Sequence, residues 1–225
     1  KPSASATAWI AVESPQKAVE LLAAMRALMG DRLTAFELVS RVVLDTVIRC
    51  KPSIPDPLKD RHPWYVLAEL TDGGTQEALA TRAEEALVDC TERGILIDVA
   101  IAQSEAQAKA LWLIRETIPE AQFTNVKHDV SVPVSSIPRM IEEGMAELRK
   151  AFPGCVGLIF GHIGDGNLHY TIAMPDEAGT QATMGQRTAA NGARHRARGR
   201  LGGPVRAVAG VGRVVAVGGG LRLDA

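Results

Sequence analysis

The chain has 225 residues, of which 46% are hydrophobic and 23% charged, and its formal net charge is −1. This length and composition allow a buried core, which excludes a fibrous or intrinsically disordered protein and indicates a globular one. No apolar run approaches the roughly 20 residues that cross a bilayer, so we expect no transmembrane segment. The three cysteines lie far apart without metal-ligand spacing, which favours a reducing compartment, and we expect the cytoplasm.

Charge and composition divide the chain near residue 190. Residues 191–225 hold seven arginines against one aspartate, so residues 1–190 carry a net charge of −7, and we expect no nucleic-acid partner for this acidic body. We predict a domain over 1–190 and a disordered, Gly/Arg/Val/Ala-rich tail over 191–225. The tail uses the residues of GC-rich codons, which favours a shifted reading frame; a basic arm for an acidic partner and a segment without a role are the alternatives.

Along the first half, apolar runs bounded by turn residues alternate with helical patterns. Ser14 before Pro15 is typical of a helix start, and Ser104 with Gln107 forms a plausible capping box. Strands are predicted at residues 7–12, 33–39, 64–70 and 95–101. Helices are predicted at residues 15–29, 76–91 and 104–116, and a further helical stretch follows the second strand and ends at about residue 49.

The second half adds three predicted strands and one amphipathic helix. The strands lie at 127–132, 155–160 and 168–172, and the helix runs from Ser135 or Ser136 to about Phe152 with an apolar stripe on one face. This order of elements indicates split βαβ units. We therefore predict an α+β fold, with a ferredoxin-like antiparallel sheet and helices packed on one face.

The most informative stretch, residues 161–169, reads Gly-His-Ile-Gly-Asp-Gly-Asn-Leu-His. If the two flanking strands form a hairpin, His162 lies opposite His169 with Cβ atoms about 4.5–5.5 Å apart. Zinc binds nitrogen at about 2.0–2.1 Å, so both rings could chelate one such ion. The alternative is a glycine-rich turn that carries two structural histidines.

Three neighbouring polar residues are further candidates. Asp165 and Asn167 are turn formers by residue type, and either could also orient a ligand histidine. Thr171 follows His169 by two residues and so shares its strand face.

The motif resembles the His-x-Gly-Asp-Gly-Asn-x-His signature of the C-terminal domain of FAD-linked oxidases, the family of D-lactate and D-2-hydroxyglutarate dehydrogenases and the glycolate oxidase flavin subunit. The resemblance covers residues 1–190. It includes Leu-Thr-Ala-Phe-Glu-Leu at 33–38, Leu-Trp-Leu-Ile-Arg-Glu at 111–116 and Lys-His-Asp-Val-Ser-Val-Pro at 127–133.

The resemblance assigns roles that the residues alone leave open. By position, Arg115 is a solvated residue near a helix end, and Lys127 is an exposed lysine at a strand start. In the family the matching arginine binds the substrate carboxylate, and the matching lysine supplies a second cation. Thr171 would hydrogen-bond substrate, although many relatives carry asparagine there. Glu37, in a buried-looking strand, is a candidate for facing the flavin.

The resemblance implies the substrate- and metal-binding domain of an FAD-dependent D-2-hydroxyacid dehydrogenase, with His162 and His169 binding a zinc-type ion. The small 2-hydroxy acid would transfer hydride to FAD. Neither the FAD domain nor the Glu-His-Gly segment of relatives is recognisable, so we expect a fragment that is inactive in isolation. The alternative is a non-catalytic α+β module that binds a metal or a small carboxylate.

Overall fold

The computed structural model of the chain describes residues 2–122 and 129–173. They form two compact units: unit 1 contains residues 2–122 and 160–164, and unit 2 contains residues 129–159 and 165–173. Lys127 and the tail predicted at 191–225 lie outside the described residues.

The strands of unit 1 follow an interlocked order. They are β1 (Ala4–Val12), β2 (Leu33–Ser40), β3 (Trp64–Asp72) and β4 (Asp98–Ile101). All pair antiparallel in the order β4-β1-β3-β2, and residues 160–162 add a further antiparallel partner to β2. This is the arrangement of split βαβ units, which confirms the predicted α+β fold with a ferredoxin-like antiparallel sheet.

The helices of unit 1 are α1 (Pro15–Met29), α2 (Arg41–Cys50), α3 (Gln76–Glu92) and α4 (Glu105–Ala121). The first N–H groups of a helix lack partners inside it, and hydroxyl side chains satisfy them here. Ser14 Oγ accepts from Lys17 N at 3.2 Å, and Ser104 Oγ accepts from Gln107 N at 3.3 Å. The predicted starts of α1 and α4 are therefore confirmed.

Helix α4 continues past the expected end near residue 116, although Pro119 lies inside it. A proline removes one hydrogen bond of the helix and usually ends or kinks it. Here Thr117 and Ile118 are buried, and Thr117 Oγ1 donates to Leu113 O at 2.7 Å. Burial of this last turn outweighs the local cost of the proline.

Helices cover both faces of the sheet in unit 1. On one face, α1 and α3 enclose a small apolar cavity with the strands, lined in part by Ala8, Ile10, Met25, Ala68, Ala83 and Leu87. On the opposite face, α4 contacts Glu69 and Glu37 through Trp112 and Arg115. The expected packing on one face holds for α1 and α3 only, because every residue of β1 from Thr7 onward is buried and both faces need cover.

Unit 2 contains β5 (Asp129–Ser131), helix α5 (Ile137–Ala151), the first residues of β6 (Val156–His162) and β7 (Asn167–Ala173). Strand β7 lies between β6 and β5, and it pairs antiparallel with β5. The predicted apolar stripe of α5 is buried, which confirms it as core: Ile137, Met140, Ile141, Met145 and Leu148.

Two glycines of unit 2 have close neighbours, and at Gly166 the space excludes any side chain. Gly166 has φ +82°, and a Cβ there would lie 2.0 Å from the carbonyl oxygen of Val132, whose N–H donates to Gly166 O at 3.0 Å. A Cβ at Gly144 in α5 would lie 3.0 Å from the hydroxyl of Tyr170, which donates to Ile141 O at 3.1 Å. Burial raises the pKa of Tyr170 far above its usual value, so the hydroxyl stays a proton donor.

Candidate functional site

A buried carboxylate in the middle of β2 lies at the centre of the polar contacts in unit 1. Glu37 is 6% exposed and stands between the buried apolar residues Phe36 and Leu38. In the antiparallel register, Glu37 lies opposite Leu67 on one side and His162 on the other. Its side chain points to the face that α4 covers, because Arg115 of that helix contacts it. The sequence predicts for Glu37 only a position facing the flavin, and these contacts are an addition to that prediction.

Arg115 on α4 is held against this carboxylate. Its Nε donates to Glu37 Oε2 at 2.8 Å, and its guanidinium carbon lies 5.0 Å from the centre of the Phe160 ring. One turn earlier, Trp112 Nε1 donates to Glu69 Oε1 at 3.0 Å. Two polar contacts one turn apart fix the rotation of α4 about its axis. The Arg115 side chain is 20% exposed, so it keeps access to solvent.

His162 binds the other oxygen of the same carboxylate. Its Nδ1 lies 3.0 Å from Glu37 Oε1, and a carboxylate can only accept, so the proton of the neutral ring is on Nδ1 and the lone pair on Nε2. The turn that follows is tied to α1, because Arg26 Nη2 donates to Gly164 O at 2.6 Å. The structure thus brings together two of the predicted site residues, Arg115 and His162, through Glu37.

In unit 2 a similar arrangement surrounds the second predicted histidine. His169 Nδ1 lies 2.5 Å from Asp129 Oδ1, and the two residues are directly opposite in the pairing of β7 with β5. Sequence reasoning missed Asp129, and the register of these two strands is the signal that would have found it. Asp165 serves the turn, since its Oδ1 accepts from Asn167 N at 3.0 Å.

Thr171 and Lys127 are the two predicted substrate-binding residues that remain. Thr171 is 1% exposed on β7, two residues after His169. Lys127 lies outside the described residues. Within residues 2–122 and 129–173, no group of three or more histidine, cysteine, aspartate or glutamate side chains is arranged to hold a metal ion. The metal site predicted from His162 and His169 therefore stays a prediction.

Comparisons with known proteins identify the family of the chain. A family profile described as "FAD linked oxidases, C-terminal domain" matches residues 1–213. D-2-hydroxyglutarate dehydrogenase of Xanthomonas citri pv. viticola is 39% identical over 178 residues, covering 78% of this chain and 36% of the relative. The mitochondrial D-2-hydroxyglutarate dehydrogenase of Arabidopsis thaliana is 31% identical over 170 residues, covering 74% of this chain and 30% of the relative.

The fold itself has a solved counterpart. A structure of p-cresol methylhydroxylase with substrate bound superimposes with a TM-score of 0.59 at 13% identity, over 88% of this chain and 43% of that one. At this identity the likeness concerns the fold alone. The chain spans about a third of the length of the two D-2-hydroxyglutarate dehydrogenases.

The profile match and the relatives thus define the class of the chain as a domain of FAD-linked oxidases. The chain belongs to the family of the C-terminal domain of FAD linked oxidases, which confirms the resemblance drawn from its sequence. No helix among the described residues is both long and apolar enough to cross a membrane.

Proposed function

We propose that the chain is the substrate- and metal-binding domain of an FAD-dependent D-2-hydroxyacid dehydrogenase, in which FAD is bound mainly by another domain. The observation that carries the proposal is the arrangement of Arg115 and His162 on the two oxygens of one buried carboxylate. A fixed cation beside a nitrogen lone pair suits a small acid that presents a carboxylate next to a hydroxyl.

Arg115 binds the substrate carboxylate in this proposal. Its Nε is engaged by Glu37, which leaves the two terminal amino groups to form paired hydrogen bonds. Lys127 and Thr171 remain predicted substrate contacts, the first as a second cation and the second as a hydroxyl donor. Together these groups would orient C2 of the acid.

His162 and His169 are the proposed ligands of a divalent, zinc-type cation. Each ring has its Nδ1 against a carboxylate, Glu37 or Asp129, and such a contact is typical of metal-binding histidines. For His162 it leaves the lone pair on Nε2 and raises the basicity of that nitrogen. A bound ion would supply Lewis acidity at the substrate hydroxyl, and FAD would accept the hydride from C2. The substrate class comes from the dehydrogenases that the chain resembles.

The test measures ligand binding by the whole 225-residue chain. D-lactate, D-2-hydroxyglutarate and glycolate are titrated by calorimetry with and without zinc. We expect Arg115→Ala to weaken binding of the preferred acid by about tenfold to a hundredfold, because a charge-assisted hydrogen bond contributes about 1.5–3 kcal/mol. The matched control is Arg93→Ala, which removes an exposed ion pair with Asp89 on α3.

Zinc binding is tested separately with His162→Ala and His169→Ala, each of which should weaken it. Unchanged affinity for every acid in Arg115→Ala, and for zinc in both histidine variants, would refute the proposal. Binding of acid and zinc without turnover when a flavin domain and an electron acceptor are supplied would instead favour a non-catalytic module.

A further inference from the structure

We infer that Glu37 is a positioning residue, one buried carboxylate that aligns Arg115 and sets the proton position of His162 so that both act on the same ligand. The inference rests on the proposed function and deepens it. Its basis is the division of the two oxygens: Oε2 accepts from Arg115 Nε at 2.8 Å, and Oε1 accepts from His162 Nδ1 at 3.0 Å.

These two contacts leave Nε2 of His162 and the terminal nitrogens of Arg115 available to a ligand. When Nδ1 of a neutral imidazole donates, Nε2 has the lone pair and can bind an electrophile or a metal ion. When Nε of a guanidinium is engaged, the two terminal nitrogens still present a planar pair of donors. Glu37 thus determines which nitrogen of His162 and which edge of Arg115 face a ligand.

Glu37 is itself held rigidly. It lies on β2, which is paired on one side with β3 and on the other with β6. Glu37 is directly opposite Leu67 and His162, so its contact with the histidine is a cross-strand pair. Phe160 shares this face two residues before His162, and the Arg115 guanidinium stacks on its ring. Arg115 is consequently fixed from two sides, by a carboxylate and by an aromatic ring.

The exposure of the three side chains agrees with this role. The Glu37 side chain is 8% exposed, whereas His162 is 36% exposed and Arg115 is 20% exposed. The carboxylate is buried while the groups that it orients reach solvent.

The decisive measurement is the nitrogen-15 NMR spectrum of the histidine rings in the full chain at alkaline pH without metal. In the wild type we expect His162 to be protonated at Nδ1. In Glu37→Gln one of the two oxygen positions becomes an NH2 donor. With the amide oxygen facing the permanently charged Arg115, the NH2 faces Nδ1 of His162, and we expect the ring to lose the Nδ1–H form as its dominant state. His162→Ala identifies the signal.

Binding provides the second measurement. Glu37→Gln should weaken zinc binding by about tenfold to a hundredfold, as loss of such a partner of a metal-binding histidine does. It should also weaken binding of the preferred acid by about tenfold. Glu69→Gln is the matched control, because Glu69 contacts the same helix through Trp112 and the glutamine oxygen can still accept that bond. It should change neither measurement.

The outcomes separate this inference from the proposed function. A wild-type His162 protonated at Nε2 would overturn the positioning role, even if Glu37→Gln failed to fold. Unchanged ring protonation and binding in a folded Glu37→Gln would also overturn it, while loss of binding in Arg115→Ala would keep the proposed function. A wild type that binds no acid or zinc but shows the expected change in His162 would refute the proposed function alone.

Discussion

At the level of single residues, Gly164 lies close to the Nε2 atom of His162. A Cβ at position 164 would lie 3.3 Å from Nε2 of His162 and 3.6 Å from Nη2 of Arg26. The first distance is tighter than ordinary van der Waals contact, and it falls on the atom that we propose as the metal ligand. A glycine here leaves that nitrogen open.

We therefore expect Gly164→Ala to reduce zinc affinity by about tenfold. This corresponds to a loss of about 1.4 kcal/mol of binding free energy from the crowding of Nε2 by the added methyl group. The melting temperature should change little, because the main cost is at the ligand nitrogen. Calorimetric titration with zinc checks the prediction. Gly73→Ala is the control, since a Cβ there meets nothing within 4 Å. Equal zinc affinity in Gly164→Ala and wild type would contradict it.

At the level of elements, the start of α2 is tied to the loop before β3 by a charged cluster. Arg41 donates to Asp45 at 2.7 Å and to Asp56 at 2.5 Å, and Arg61 donates to Asp45 at 2.7 Å. The Arg41 guanidinium also lies 5.8 Å from the centre of the Tyr65 ring. These contacts attach the loop at residues 51–63 to the start of α2 and to β3.

The pH dependence of stability should show this cluster. Burial alone would raise the pKa of Asp45, but the hydrogen bonds from Arg41 and Arg61 outweigh it, and the net pKa lies below the usual value of 3.8. The folded state therefore gains stability from Asp45 above roughly pH 4, the unfolded pKa, and loses it as the pH falls through the lower folded pKa.

Asp45→Asn should consequently destabilise the chain by about 1 kcal/mol at neutral pH, the range for a partly exposed ion pair. The difference from wild type should shrink as the pH drops below 4. Urea unfolding at several pH values measures both. A difference that grows on acidification would have the wrong sign for this cluster. Asp89→Asn, in an exposed pair with Arg93, should have a smaller effect.

At the level of the whole molecule, each unit contains one buried cysteine. Cys90 lies in unit 1 and Cys155 in unit 2, while Cys50 is exposed. Burial raises the pKa of both inner thiols and also shields them from reagents in solution. The reaction rate of Cys50 therefore measures accessibility at the surface, and the rates of Cys90 and Cys155 measure the opening of unit 1 and unit 2.

A thiol reagent at pH 8 should label Cys50 of the native chain promptly, and should label Cys90 and Cys155 only as the units open. Unfolding in urea should expose all three, and Cys50→Ser should abolish the prompt reaction. Mass spectrometry of peptides from a time course identifies each site. Prompt labelling of Cys90 or Cys155 would contradict the burial described for that unit.

The sequence by itself determined the elements and the family. Helix starts at Ser14 and Ser104 could be predicted because capping bonds join residues only three positions apart. The apolar stripe of α5 could be predicted from its helical periodicity, and the split βαβ fold from the order of the predicted elements. The motif between His162 and His169 was enough to identify the family, which the profile match confirmed.

Only the tertiary structure decided which side chains meet. Glu37 contacts Arg115 and His162 across 78 and 125 positions of the chain, and Asp129 contacts His169 across 40. Such contacts depend on strand register and on the face that a helix covers, and both result from packing of the whole unit rather than from any local pattern. The same reason explains why α4 runs through Pro119 and why helices cover both faces of the sheet in unit 1: burial of distant residues outweighs local preference.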